Sequence, residues 1–341
     1  PGSGERMSGN CFYCKVNDAR KQCMKYQRES VHECIDRLHL LCKCTVASCF
    51  QYSLTSFMSA FPVCNDILFL QIFYFADFTL MQSAVLITGS LSKGFFSLGD
   101  QTSAGRLPLD TSKTTNWFYF LSNIDILTSP DNHAVICYGD SITAQAWPDE
   151  LMLRLLREGK KHTSVIRRAA SGTRILRQYD CITYDSYGLK GSNRFSHEIP
   201  TSGADTIIIQ QGINDIIHPV GCDINPFRPM SDLPTAEELI DGLKWYVDQA
   251  HALGLSVYIG TLLPIEGWRT YAPFREELKN QVNEWIRLTD GFEGCIDFDL
   301  AVQDPDHPAA FKAGYDSGDH LHPSNPAYKK MADTVPATLL R

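Results

Sequence analysis

Four short segments between residues 139 and 323 contain the residue types that a serine needs for acyl transfer. Each segment is a weak signal alone. In this order, however, they supply a nucleophile, a base, a carboxylate to orient the base and hydrogen-bond donors for an oxyanion. The segments are Gly139-Asp140-Ser141, Ser171-Gly172, Gly212-Ile213-Asn214-Asp215 and Asp319-His320-Leu321-His322-Pro323.

Ser141 is the candidate nucleophile. It follows an apolar run that begins at Val135, and Gly139 permits a tight exit from the strand that this run predicts. A serine where a strand ends and a helix begins directs its hydroxyl into a cleft, where backbone N–H groups can hold an anion. The alternative is an ordinary turn with a helix-capping serine. The sequence contains no G-x-S-x-G, which argues against an ordinary α/β-hydrolase.

The Asp319-x-x-His322 spacing has a definite geometry. Three residues of separation in a loop bring a carboxylate to one imidazole nitrogen and leave the other nitrogen for a serine. Two alternatives compete with this interpretation. His320 and His322, with Asp316 and Asp319, have the ligand types of a metal site, although no second cluster of similar density completes one. Asp319 could also cap a helix that begins near Pro323.

Asn214 and Gly172 are the candidate oxyanion donors. Asn214 follows the apolar run 206–209 and carries an amide that can donate to a developing negative charge. Gly172 lets a backbone N–H approach the substrate closely. Plain turns are the alternative for both positions, since asparagine and glycine are common after strands.

From residue 132 onward, strand and helix patterns alternate along the chain. This alternation predicts a parallel sheet covered by helices on both faces, with the site beyond the carboxyl ends of the strands. The predicted strands are 134–138, 164–166, 206–210, 256–262 and 294–298, and the predicted helices are 149–157, 235–253, 271–289 and 326–334.

Three regions differ in composition. Residues 1–64 hold eight of the twelve cysteines, residues 65–130 alternate apolar, aromatic and turn residues as in a β-rich accessory region, and residues 131–341 form the catalytic domain. Cys11 and Cys14 form a C-x-x-C, but no second C-x-x-C lies at zinc-ribbon spacing. We therefore expect the cysteines of residues 1–64 to be reduced structural thiols. They would form disulfides if the protein were secreted.

Bulk properties exclude some classes of partner. The net charge of −8 and the lack of a long basic run argue against a nucleic-acid surface. The apolar stretch 67–87 approaches membrane-spanning length but contains Gln71, Asp77 and Gln82, which favour buried strands over a membrane anchor. No signal peptide is visible, so we expect a cytoplasmic protein, with secretion as the alternative.

The four segments together resemble the SGNH hydrolase family, also called GDSL esterases and lipases, over roughly residues 132–338. The resemblance implies a flavodoxin-like three-layer α/β/α sandwich with a parallel sheet. It also implies Ser141 as nucleophile, His322 as base and Asp319 as the third member of a triad. The backbone N–H groups of Ser141 and Gly172, with the Asn214 side chain, would form the oxyanion hole. No metal or organic cofactor is implied.

The predicted activity is an esterase that works through an acyl-serine intermediate on a small-molecule or carbohydrate ester. Aromatic and polar residues near the predicted cleft favour short acyl esters, acetyl groups on carbohydrate included, although such aromatics are also common as core or rim. Alternatives are a non-catalytic glycan-binding protein and an acyltransferase or lipase acting on lipid esters. The oligomeric state stays open. The predicted substrate contacts are Asp140, Tyr187, Trp268 and Arg269, with Tyr184 nearby.

Ser141 is predicted to be the sole nucleophile, with Ser317 as its nearest rival beside the proposed base. A fluorophosphonate probe should label the wild-type protein and fail to label Ser141→Ala, because the probe reacts with an activated serine. Peptide mapping by mass spectrometry locates the adduct. An adduct on Ser317, or labelling that survives in Ser141→Ala, contradicts the assignment.

Overall fold

The computed structural model describes residues 128–179, 187 and 189–341, together with the backbone of seven short strands between residues 11 and 118. The chain divides into two units, Pro1–Thr128 and Ser129–Arg341. Each unit is described separately below.

The first unit contains antiparallel strands. Five of them pair in the order β2-β3-β1-β5-β6, and β4 pairs with β7. β3 to β7 fall in the region predicted to be β-rich, and β3 covers the start of the apolar stretch 67–87. Cys11 and Cys14 lie on β1, and the other cysteines of residues 1–64 are outside the described residues. The strands are β1 (Cys11–Lys15), β2 (Phe57–Val63), β3 (Ile67–Phe73), β4 (Val85–Leu86), β5 (Gly94–Ser97), β6 (Thr114–Thr115) and β7 (Trp117–Phe118).

The second unit is built on a five-stranded parallel sheet, as predicted. Its order is β12-β11-β10-β8-β9. Counted within this sheet alone, the order is 2-1-3-4-5, which is the flavodoxin-like arrangement. Residues 135–138 and 207–209 are fully buried because helices cover both faces. The strands are β8 (His133–Gly139), β9 (Thr163–Ala169), β10 (Ala204–Gln210), β11 (Ser256–Gly260) and β12 (Gly294–Ile296).

Eight α-helices flank this sheet within the described residues. α2 packs against α8 on one side, whereas α5 packs against α6 and α3 on the other. The four predicted helices correspond to α2, α5, α6 and α8, and the other four are too short to show a clear helical period. The helices are α1 (Ser141–Ala144), α2 (Trp147–Glu158), α3 (Gly191–Glu198), α4 (Ile213–Ile217), α5 (Ala236–Ala252), α6 (Pro273–Leu288), α7 (Phe298–Val302) and α8 (Asn325–Thr334).

The reversal of strand order between β8 and β10 positions the site. β8 and β10 are neighbours in the sheet, and Gly139 pairs with Gln210 at their carboxyl ends. A Cβ at position 139 would collide with the Gln210 carbonyl oxygen and with the Thr143 side chain. The glycine therefore allows α1 to begin immediately beyond β8. Clefts at such switch points are where ligands bind in open α/β sheets.

None of the helices in the described part of the chain has both the length and the apolar composition that a bilayer-spanning helix needs.

The start of α5 is stabilised by a capping box. The Thr235 hydroxyl accepts a hydrogen bond from the Glu238 backbone N–H at 3.2 Å, and the Glu238 carboxylate accepts one from the Thr235 N–H at 2.9 Å. Thr235→Ala should lower the free energy of unfolding by about 1 kcal/mol in urea titrations. Esterase activity should not change. Thr235→Ser, which keeps the hydroxyl, serves as the control, and an equal loss in both variants contradicts the role of the cap.

Candidate active site

Three of the predicted residues meet at the carboxyl edge of the sheet. Ser141 is the first residue of α1, and its Oγ lies 2.9 Å from His322 Nε2. His322 Nδ1 lies 2.6 Å from Asp319 Oδ2. The candidate nucleophile, base and orienting carboxylate are thus in hydrogen-bond contact, the geometry that can activate a serine.

The loop that carries Asp319 and His322 is held closed by the backbone. Asp316 and Pro323 form an antiparallel bridge, and the Ser317 N–H donates to the His322 carbonyl at 3.0 Å. Leu321 is only 3% exposed, so its side chain anchors the loop in the core. The base is therefore fixed relative to α1.

Asp319 is held in its charged form. Burial would raise the pKa of its carboxyl, but hydrogen bonds from the His322 backbone N–H and imidazole and from the Leu321 N–H outweigh that effect and lower the pKa to about 2. A carboxylate at Nδ1 favours the tautomer that carries its proton there. Nε2 then has a free lone pair toward Ser141, as a general base requires.

Ser317 and His320, the alternative candidates for nucleophile and base, make contacts with other side chains. The Ser317 hydroxyl donates to Asp319 at 3.1 Å, and His320 pairs with Asp316 at 2.5 Å. Ser324, rather than Asp319, is the N-cap residue of α8, so the helix-cap alternative for Asp319 is wrong. Within residues 128–179, 187 and 189–341, no group of three or more His, Cys, Asp or Glu side chains is placed to hold a metal ion.

Asp140 is fully buried directly before the nucleophile. Its Oδ1 accepts a hydrogen bond from the Ile142 N–H at 3.0 Å, so it caps α1. Burial raises the pKa of this carboxyl to about 7, the Ile142 bond lowers it and the nearby Asp215 charge raises it further. The structure places the Asp140 carboxyl at the N-terminal cap of α1. Contact of this residue with substrate stays a prediction.

Gly172 lies in a loop that other side chains hold in place. Its φ of 79° is accessible to glycine at little cost, and a Cβ there would collide with the Tyr187 ring. The buried Asp215 carboxylate accepts the backbone N–H groups of Ile175 at 2.8 Å and Leu176 at 3.0 Å. Asp215 is thus a positioning residue that the sequence analysis missed, although its place beside Asn214 in one of the four segments was a signal.

Arg194 ties the same loop to the sheet. Its Nη1 donates to the Thr173 hydroxyl at 3.2 Å and to the Gly139 carbonyl at 3.4 Å, and its other nitrogens pair with Glu198. The side chain is 5% exposed. No local pattern indicates Arg194, because its partners lie 21 and 55 positions away along the chain.

Asn214 is buried at the start of α4. Its Nδ2 donates one hydrogen bond to the Thr173 carbonyl at 3.1 Å. An amide nitrogen has two hydrogens, and the second is the one that an oxyanion would use. The Thr173 bond places this amide next to the Gly172 loop, and its role as an oxyanion donor stays a prediction.

The predicted substrate contacts lie on two loops. Tyr187 is half-buried against Gly172. Trp268 and Arg269 lie in the loop after β11, with the guanidinium 4.3 Å from the centroid of the indole ring. Gly267 in that loop lies against the His320 imidazole. The loop after β11 therefore packs against the loop that carries Asp319 and His322. Tyr184 lies outside the described residues.

A cavity of about 380 Å³ lies between α3, α5 and the loop after Gly172. Leu176, Asn193 and Trp245 are among its lining residues, and neither Ser141 nor His322 is. The reaction centre is therefore identified by its side-chain geometry rather than by this cavity.

A protein-family comparison matches most of the second unit. The sequence profile of the GDSL-like Lipase/Acylhydrolase family matches residues 137–330, more than half of the chain. The chain matches no curated protein sequence significantly.

Several solved structures are similar to the chain. One is TesA, with 20% identity, a TM-score of 0.43 and coverage of 61% of this chain and 98% of that one. A GDSL-like lipase from Bacteroides thetaiotaomicron has 16% identity, a TM-score of 0.41 and coverage of 61% and 88%. An acetyl xylan esterase from Geobacillus stearothermophilus has 16% identity, a TM-score of 0.44 and coverage of 59% and 91%.

His322 and His320 should respond differently to substitution. His322→Ala removes the group that contacts Ser141, so kcat should fall by several orders of magnitude. His320→Asn should have a small effect, because His320 pairs with Asp316 and asparagine tolerates its φ of 62°. Steady-state kinetics on a p-nitrophenyl ester measure both. A larger loss in the His320 variant contradicts the assignment of the base.

Asp140 should make stability depend on pH. Its folded-state pKa of about 7 lies above the ordinary 3.8, so between these values the folded protein keeps a proton that the unfolded chain releases. Stability should therefore fall as pH rises through this window. Asp140→Asn keeps an oxygen for the Ile142 N–H and should flatten this fall in urea unfolding measured at several pH values. Asp306→Asn, at an exposed carboxyl, is the control, and parallel curves for Asp140→Asn and wild type contradict the prediction.

Proposed function

Because the chain belongs to the GDSL-like lipase/acylhydrolase family and is a hydrolase acting on ester bonds, we propose that it cleaves carboxylic esters with short acyl groups. Acetyl esters of carbohydrates are the favoured substrates, and the reaction passes through an acyl-serine intermediate. The contact between Ser141 Oγ and His322 Nε2 at 2.9 Å is the observation that carries the proposal.

The acylation step uses the triad. His322 Nε2 takes the proton of Ser141 as Oγ attacks the ester carbonyl carbon, and the carbonyl oxygen becomes an oxyanion. The imidazolium that forms is stabilised by the Asp319 carboxylate 2.6 Å from Nδ1. His322 then gives its proton to the alcohol oxygen, the C–O bond breaks and the alcohol leaves.

Deacylation repeats the sequence with water. His322 removes a proton from a water as the water oxygen attacks the acyl carbon. His322 then returns that proton to Ser141 Oγ as the Oγ–acyl bond breaks, which releases the carboxylic acid. The oxyanion of both steps is bound by the backbone N–H groups of Ser141 and Gly172 and by the Asn214 amide. A single donor of this kind is worth about 3 kcal/mol in the transition state.

The loop after β11 supports a polar, ring-bearing alcohol. The leaving oxygen must lie beside His322, and Gly267 of this loop packs against the neighbouring His320. Trp268 and Arg269 follow directly, and the Arg269 guanidinium lies 4.3 Å from the centroid of the Trp268 ring. An apolar ring with a hydrogen-bonding cation suits a sugar better than an alkyl chain.

A substrate panel tests the proposal. Purified protein is assayed with p-nitrophenyl acetate, butyrate and octanoate, and with acetylated mono- and oligosaccharides by acetate release. We expect the highest kcat/KM for acetyl esters, release of free acetate from the sugars and no turnover by Ser141→Ala.

Other outcomes contradict the proposal and identify its alternatives. Preference for octanoate indicates a lipase. Transfer of the acyl group to an added sugar without release of free acid indicates an acyltransferase. Sugar binding without turnover of any ester indicates a glycan-binding protein.

A further inference from the structure

The Tyr187 ring packs against Gly172, one of the predicted oxyanion donors, so closely that position 172 has no room for a Cβ. We propose that Tyr187 forms the wall of the acyl site and limits the acyl group of the substrate to a few carbons. This inference rests on the proposed function, because it concerns the acyl-serine intermediate of the same site.

The wall is rigid because buried side chains lie behind it. Tyr187 stacks on His218 with ring centroids 5.7 Å apart and an interplanar angle of 23°. Tyr179 meets Tyr187 edge to face at 5.5 Å, and its hydroxyl is hydrogen-bonded to His218 Nδ1. Tyr179 and His218 are 8% and 7% exposed, so neither yields readily to a ligand that pushes on Tyr187.

Charged groups in turn fix Tyr179 and His218. The Arg174 guanidinium lies 4.1 Å from the centroid of the Tyr179 ring and pairs with Asp232 at 2.9 Å. Burial lowers the pKa of His218 well below its ordinary value, and the charges of Arg228 and Arg174 lower it further. His218 is therefore neutral at physiological pH, and its Nδ1 shares one hydrogen bond with the Tyr179 hydroxyl.

The backbone of Tyr187 is tied to the oxyanion loop. The Thr173 hydroxyl, next to Gly172, lies within hydrogen-bond distance of the Ala170 carbonyl at 2.8 Å and of the Tyr187 carbonyl at 3.0 Å. The backbone carbonyl of Thr173 accepts a hydrogen bond from the Asn214 side-chain amide at 3.1 Å. Wall and oxyanion donors thus belong to one hydrogen-bonded unit, and the distance between them is fixed.

The direction of the leaving group assigns this wall to the acyl side. The alcohol oxygen must receive its proton from His322, so the alcohol extends toward the catalytic loop and Trp268. The oxyanion faces the donors at Gly172. The remaining substituent of the tetrahedral carbon is the acyl chain. The proposal places this chain beside the Gly172 donor, where the Tyr187 ring packs.

The test compares acyl-chain preference in variants of Tyr187. Wild type, Tyr187→Ala, Tyr187→Leu and Tyr187→Phe are assayed with p-nitrophenyl acetate and octanoate, which share one leaving group. The ratio of kcat/KM for octanoate to that for acetate should rise by about tenfold or more in Tyr187→Ala and by less in Tyr187→Leu. Tyr187→Phe keeps the ring and should keep the wild-type ratio.

A second series varies the alcohol at constant acetate, and its relative kcat/KM values should not change. An unchanged octanoate-to-acetate ratio in the two smaller variants, or a change confined to the alcohol series, overturns the inference. Fluorophosphonate labelling of Ser141 identifies the variants whose active site is assembled. If Tyr187→Ala does not fold, the octanoate-to-acetate ratio of Tyr187→Leu tests the inference.

The two proposals fail in different ways. Wild-type turnover of acetate with unchanged ratios refutes the role of Tyr187 alone, whereas a wild type that cleaves no ester refutes the proposed function as well.

Discussion

The close approach of β8 and β10 at their carboxyl ends is the constraint on which the rest of the site depends. Gly139 and Gln210 pair there, and the absence of a side chain at Gly139 leaves room for the Gln210 carbonyl and for Thr143. One strand then delivers Ser141 and its neighbour delivers Asn214 to the same cleft. The candidate nucleophile and a candidate oxyanion donor are therefore positioned by sheet geometry rather than by flexible loops.

Buried carboxyl groups complete this framework. Burial raises the pKa of Asp215 to about 6 even though two backbone N–H groups lower it, and Asp140 beside it behaves similarly. Two such groups near one another disfavour full ionisation of both. Burial of the two carboxyl groups costs folding free energy, while their hydrogen bonds hold the Gly172 loop and the start of α1 in place. Such a cost is common at functional sites.

The fold could be predicted where burial is simple. The central strands β8 and β10 were predicted from continuous apolar runs, because a covered parallel sheet buries both faces of its central strands. The end of β11 was not predicted: the strand stops at Gly260 rather than at residue 262, and the Thr261 hydroxyl donates to Asp297 and accepts from the Asp299 N–H. The short helices α1, α4 and α7 are stabilised by tertiary contacts, which a local pattern does not contain.

In the candidate site, too, local contacts could be predicted and long-range contacts could not. Asp319 and His322 could be paired from their spacing because the contact is local, and Ser141 from its position after a strand. The contacts of Asp215 with Ile175 and of Tyr187 with His218 join distant parts of the chain, so residue types alone gave no signal for them. Their importance emerges once the fold brings them together.

The contact between Gly267 and His320 has an evolutionary consequence. One side of that contact belongs to the loop after β11, which varies most freely in principle because it lies beyond the sheet edge. The other side belongs to the loop that holds Asp319 and His322. A change of sequence in the first loop shifts the surface against which the second is packed, so substitutions in the two loops are not independent. Substitutions in the first loop are therefore expected to be accompanied by compensating substitutions in the second, so the two loops should diverge together.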